Sequence, residues 1–182
     1  MTTNELDQIL RRIDEKNLPP VHLWNPQYSG DMDMRIAADG SWYYRGSKIS
    51  RQRMVNLFST ILRFEQGQYF LVTPVEKFRI NVDDAVFIAN RVDKINTEPQ
   101  VLVFTTNVDE EIIADANHRV IVHTDPSNAQ PRPYLQVRDG LTALITRSVF
   151  YELVEWASPR VLEGASHMAI ESQGQVFSLG RM

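Results

Sequence analysis

The chain has 182 residues, 43% of them hydrophobic, which is enough for one ordinary domain or two small ones and excludes a largely disordered polypeptide. Its 19 basic and 23 acidic residues leave a net charge of −4, so no overall pull toward nucleic acid or an anionic membrane is expected. Cysteine is absent, which excludes disulfide scaffolds, thiolate zinc sites and cysteine nucleophiles, and suits a reducing compartment.

The opening MTTNELDQIL lacks the basic-then-apolar profile of a signal peptide, and no apolar run approaches membrane-spanning length, so a cytoplasmic protein is expected. Thr2 and Glu5 have capping-box spacing, and Leu6, Ile9, Leu10 and Ile13 recur at helical intervals, predicting an amphipathic helix that stops near Asn17, before Pro19-Pro20. PPVHLWNPQYSG then reads as an irregular connection anchored by Trp24. MDMRIA alternates, Asp39-Gly40 offers a two-residue hairpin turn, and SWYYR is rich in strand-forming aromatics.

Ser50 is a natural N-cap for a helix to about Arg63, with Met54, Leu57, Phe58 and Ile61 as its apolar stripe. QYFLVTP reads as a short buried strand stopped by Pro74, followed by four or five strands with polar turns, among them a turn tip at residues 109–111. PSNAQPRP is a loop. After it come strand YLQVR, turn Asp139-Gly140, strand LTALI, cap Thr146 and a helix carrying Val149, Phe150, Leu153, Val154 and Ala157, with VFSL as a final strand.

Two stretches thus share one order: strand, Asp-Gly turn, strand, Ser or Thr cap, arginine, amphipathic helix. Met54, Leu57, Phe58 and Ile61 align with Phe150, Leu153, Val154 and Ala157, which favours an internal duplication over coincidence. The predicted fold is α+β, with two related sub-domains over residues 1–74 and 75–182, each holding one strand-turn-strand-helix unit.

The strings PPVHLWNP, DMRIAADGSWYYRGSKISR, YFLVTPVEKFRINVDDAVF, VLVFTTNVDEEI and RPYLQVRDGLTALITRSVFYELVE resemble the bacterial domain-of-unknown-function family twelve-eighty-five over nearly the whole chain. The resemblance implies a duplicated core and a larger second half that is mostly antiparallel sheet with a helix, similar to pleckstrin-homology domains. It also implies a nucleotide-like ligand between the halves and a role in signal transduction.

A helix N-terminus carries unpaired amides and partial positive charge, so arginine just inside it is mildly unfavourable alone but suited to an anion. Arg51 and Arg147, with the hydroxyls of Ser50 and Thr146, are therefore candidate anion-binding corners that together could grip a phosphorylated ligand. The competing reading is that each arginine pairs with a carboxylate or extends into water. Lys77 and Arg132 are further candidates, and Trp42, Tyr44 and Tyr134 could stack on a base or simply pack in the core.

GxGxxG, the phosphate-loop pattern, GxSxG and HExxH are all absent. His118 and His123 fall on opposite faces of a strand, His22 and His167 are isolated, and the pairs Asp31/Asp33 and Asp83/Asp84 read better as solvated carboxylates than as magnesium ligands. Non-catalytic recognition of a small anionic, nucleotide-like ligand is therefore expected, with a signalling protein as reader and no metal, cofactor, nucleic acid or membrane involved. A protein-interaction module without a small ligand is the alternative, and a hydrolase the third.

Overall fold

The computed structural model describes residues 3–182. Its chain forms two compact units, an N-terminal one of Lys16–Val86 with Asp139–Leu141, and a C-terminal one of the leading helix, Phe87–Arg138 and Thr142–Met182. The boundary expected near residue 75 moves to residue 86 because the strand after Pro74 pairs back into the N-terminal sheet. The leading helix changes sides for a similar reason, since its apolar face packs on C-terminal strands.

That helix, α1 (Thr3–Glu15), seats Ile9 against Ile95, Val101 and Val103, with Leu6 and Ile13 beside it, while Leu10 stays exposed. The proposed Thr2 cap lies outside the described residues. Arg12 forks onto the Glu111 carboxylate with two bonds of 2.7 Å, fixing the helix in place. The connection to the N-terminal unit holds one 3-10 turn at Val21–Leu23, and Arg63 donates to the carbonyls of Val21 and Trp24.

The N-terminal sheet is built from β1 (Tyr28–Ile36), β2 (Trp42–Tyr44), β3 (Ser47–Lys48), β4 (Leu62–Glu65), β5 (Gln68–Val72) and β6 (Lys77–Val82), in the order β3-β2-β1-β6-β5-β4. It is two antiparallel meanders joined by one parallel pair, β1 with β6. Between them sits α2 (Gln52–Ser59), which ends four residues before Arg63 because Thr60 caps it and Leu62 already belongs to β4. Its inward residues are Val55 and Ser59, and the expected stripe is largely turned out: Leu57 is 63% exposed and Met54 38%. Residues 37–41 form a five-residue loop, with Asp39 accepting from the Ser41 amide, rather than a two-residue turn.

The C-terminal unit repeats the plan. β7 (Phe87–Ile95), β8 (Val101–Thr106), β9 (Glu111–Ile113), β10 (Val120–Thr124), β11 (Pro131–Arg138) and β12 (Leu141–Ile145) run in the order β10-β11-β12-β7-β8-β9, again two meanders joined by a central parallel pair, β12 with β7. The duplication is real, but it lies in the sheets. α3 (Arg147–Trp156) follows the sixth strand of its sheet whereas α2 follows the third, so the two helices are not counterparts.

Val149, Phe150 and Leu153 of α3 are buried; Val154, expected inward, is 39% exposed. The chain closes with a separate antiparallel sheet, β13 (Ser158–Leu162), β14 (Ala165–Ser172) and β15 (Gln175–Arg181). Ser172, fully buried, accepts from the Leu102 amide at 2.9 Å and donates to the Ala114 carbonyl at 2.7 Å, tying the small sheet to the large one.

Candidate functional site

The two-residue turn Asp139-Gly140, both residues at positive φ, folds β11 back on β12. Counting outward equally from that turn brings residue 132 opposite residue 147, at the end where β12 runs into α3. There Arg132, Arg147, Gln130, Leu144, Phe150 and Tyr151 surround a pocket of about 370 Å³. The floor is apolar, Phe150 being 7% exposed; the rim carries two guanidinium groups, an amide and the 61%-exposed Tyr151 ring.

Thr146 is the N-cap of α3, accepting from the Val149 amide at 3.4 Å, so Arg147 occupies the first helical position as the sequence predicts. Arg147 donates to the Gln130 side-chain oxygen at 3.4 Å and has no carboxylate partner among the described residues. Arg132 is more constrained: its Nε donates to the Tyr134 hydroxyl at 3.1 Å, and its terminal nitrogen lies 3.6 Å from Asp125. The Ser127 hydroxyl and amide, and then Arg132, hold the Asp125 carboxyl below the usual carboxylate range. Tyr134 also packs on His123, with ring centroids 5.7 Å apart, so it orients Arg132.

The remaining predicted site residues belong to the N-terminal unit and do not assemble there. Trp42, a core residue 1% exposed, stacks on Phe58, and its indole N–H has no hydrogen-bond partner among the described residues, so base stacking on Trp42 is ruled out by burial. Lys77 is bound to Glu65 at 2.8 Å and lies 4.5 Å over the Phe70 ring. Ser50 is not the cap. Arg51 itself takes that position, with extended backbone and no side-chain cap bond, so the second helix start is unlike the first.

Gln130 and Tyr151 escaped the sequence reading, and Phe150 was read there as a core residue and not as the floor of a pocket. Tyr151 was findable, since it stands four residues after Arg147 and so shares its helix face. Glu110, expected at an exposed turn tip, is instead a nearly buried carboxylate that takes Arg138 at 2.7 Å, with that guanidinium 5.1 Å over Phe87. A larger recess of about 460 Å³ lies by Trp156, Arg160 and Glu171, but its cation already faces a carboxylate at 3.8 Å. Arg147, with no carboxylate partner among the described residues, therefore distinguishes the smaller pocket. No group of three or more metal-ligating side chains occurs among the described residues, and none of their helices is long and apolar enough to cross a membrane.

Fold and site together define a two-unit α+β protein, mostly sheet, with a repeated six-stranded plan and a basic pocket in its second unit. Residues 19–85 match the N-terminal domain, and residues 86–179 the C-terminal domain, of the protein family of unknown function DUF1285. The chain belongs to that family. A DUF1285 protein from Silicibacter pomeroyi DSS-3 is 44% identical, over 97% of this chain and 94% of that one, with a TM-score of 0.82. A second, from Shewanella baltica OS155, is 26% identical over 68% of this chain and 91% of its own, with a TM-score of 0.55. No curated protein matches.

Proposed function

We propose that this protein binds a small anionic, nucleotide-like ligand without transforming it, in the pocket at the start of α3, and that a signalling partner reads the bound state. The observation that carries this reading is the pairing of Arg132 and Arg147 on one pocket, with no carboxylate partner for Arg147 among the described residues. Guanidinium forks match phosphate oxygens, and the helix start adds amides and partial positive charge. Tyr151 offers a free aromatic face to a base, and a volume of about 370 Å³ is of ligand size. The succession of β7 to β12 followed directly by α3 is what supports a pleckstrin-homology-like use of this unit. The absence of cysteine suits a cytoplasmic setting.

A thermal-shift screen against nucleotides, cyclic dinucleotides and inorganic phosphate tests the proposal. A true ligand at a hundred times its dissociation constant adds about 2.7 kcal/mol of stability. The expected result is a saturable shift that disappears in Arg147→Ala and persists in Arg51→Ala. No shift with any of these anions, or a shift indifferent to Arg147, overturns the reading.

A further inference from the structure

The outward faces of α2 and α3 carry opposite charge in matching positions. On α2, Val55 and Ser59 point inward, which at 100° per residue sets Arg53 and Leu57 on the opposite pole. On α3, Val149, Phe150 and Leu153 point inward, and the same geometry sets Tyr151 and Glu155 on the outer pole. Each pole thus holds one ion and one large apolar side chain four residues apart, with Leu57 63% and Tyr151 61% exposed.

The surrounding charge extends this match. Residues 40–64 contain no acid, and Arg45, Arg51 and Arg53 are exposed without a carboxylate partner among the described residues, while Lys48, also exposed, has the Asp39 carboxylate within electrostatic reach. Residues 148–159 contain no base, and Glu152 and Glu155 are exposed. The other cations of the sheet around α2 are already engaged, Arg35 with Asp83, Arg79 with Asp31, Lys77 with Glu65 and Arg63 with the carbonyls of Val21 and Trp24. Both charged faces also oppose their own helix dipole. α2 has cations and no acid at its positive end, and α3 has acids and no base at its negative end.

We infer that these two faces dock on each other between copies of this chain, α2 of one copy running antiparallel to α3 of the next. Antiparallel alignment sets Arg53 against Glu155 and Leu57 against Tyr151, both pairs repeating about 6 Å along the axis. It relieves both dipole mismatches at once and covers two exposed apolar side chains. The occupant is a second copy because the complementary face, in sign, spacing and apolar content, is on the chain itself. The inference goes beyond ligand binding: of the four residues, Tyr151 alone lines the pocket.

The test is sedimentation velocity on the full chain over a concentration series at low and high salt, for the wild type, Arg53→Glu, Glu155→Arg, the double charge swap and Leu57→Ser. The wild type should associate reversibly and less so in high salt. Each single reversal should weaken association about tenfold, about 1.4 kcal/mol, while the double swap restores it. Melting temperatures of the single reversals should hold or rise, because each corrects its own helix dipole; a role in holding the monomer together would lower them. A wild type that stays monomeric to its solubility limit, single reversals without effect, or a double swap that does not recover would each overturn the inference.

Discussion

The two six-stranded sheets share one strand plan and differ in how they are covered. In the C-terminal sheet β8 buries four consecutive residues, Val101 to Phe104, because α1 covers one face and the small terminal sheet reaches the other. In the N-terminal sheet β1 alternates, with Met34 and Ile36 buried and Arg35 between them exposed, as a strand with one solvated face does. Strand order follows from pairing, whereas burial follows from what is laid on the sheet afterwards. The two are separable properties of one design.

The largest expected effect strikes the doubly covered sheet. Phe104, fully buried on β8, should cost about 3–5 kcal/mol on replacement by alanine. Hydrogen exchange followed region by region should show the loss concentrated in residues 87–138 and 142–182. Uniform loss across both units would mean that they unfold as one body and the comparison has no energetic content.

A smaller break targets the buried hydroxyl that ties the small terminal sheet to β8. Ser172→Ala leaves the Leu102 amide and the Ala114 carbonyl without their buried partner and should destabilise by about 1–3 kcal/mol. Denaturant titration measures it, and the same substitution at exposed Ser166 should be neutral.

The smallest effect is one of pH, and it runs the other way between the units. Arg79 and Tyr28 lower the Asp31 carboxyl, the Ser41 amide lowers Asp39, and Arg35 lowers Asp83; in the C-terminal unit Asp125 is lowered by Ser127 and Arg132. A carboxyl with a depressed folded pKa contributes stability above its unfolded value, near pH 4, and loses it as pH falls through the folded value. Acidification below about pH 4 should therefore loosen the N-terminal unit more. The exchange of its amides, compared between wild type and Asp31→Asn/Asp83→Asn, checks this: the variant should show the flatter pH response.

Much of this was legible in the sequence, for reasons that also mark where it stopped. Alternation and turn chemistry announced β1, β11 and β12, since strand pairing across Asp139-Gly140 is a local event. Other hairpins turn on Arg45-Gly46 and Gln66-Gly67, where only the glycine gave a signal. In α2 helical periodicity fits two overlapping arcs, and the one containing Leu57 has more apolar mass; burial went to Val55 and Ser59 because the strands beneath decide which arc faces in. The duplication was sensed through helices that are not counterparts, because strand order depends on a parallel pairing between distant segments that no local pattern records. At the site, Arg132 and Arg147 were both anticipated, and their juxtaposition follows from hairpin register alone. Trp42 failed as a ligand contact because an aromatic in a strand reads the same whether it faces core or solvent.

The shortness of the outer strands has a further consequence. One edge of each large sheet is a stub, β3 with two residues and β9 with three, and the outer strand β13 carries Pro159. Such edges offer a neighbouring chain little backbone to zip onto, and proline removes one donor outright. A protein made mostly of sheet is thereby guarded against ribbon-like aggregation along these margins, which leaves side-chain faces as the surfaces through which its molecules can meet.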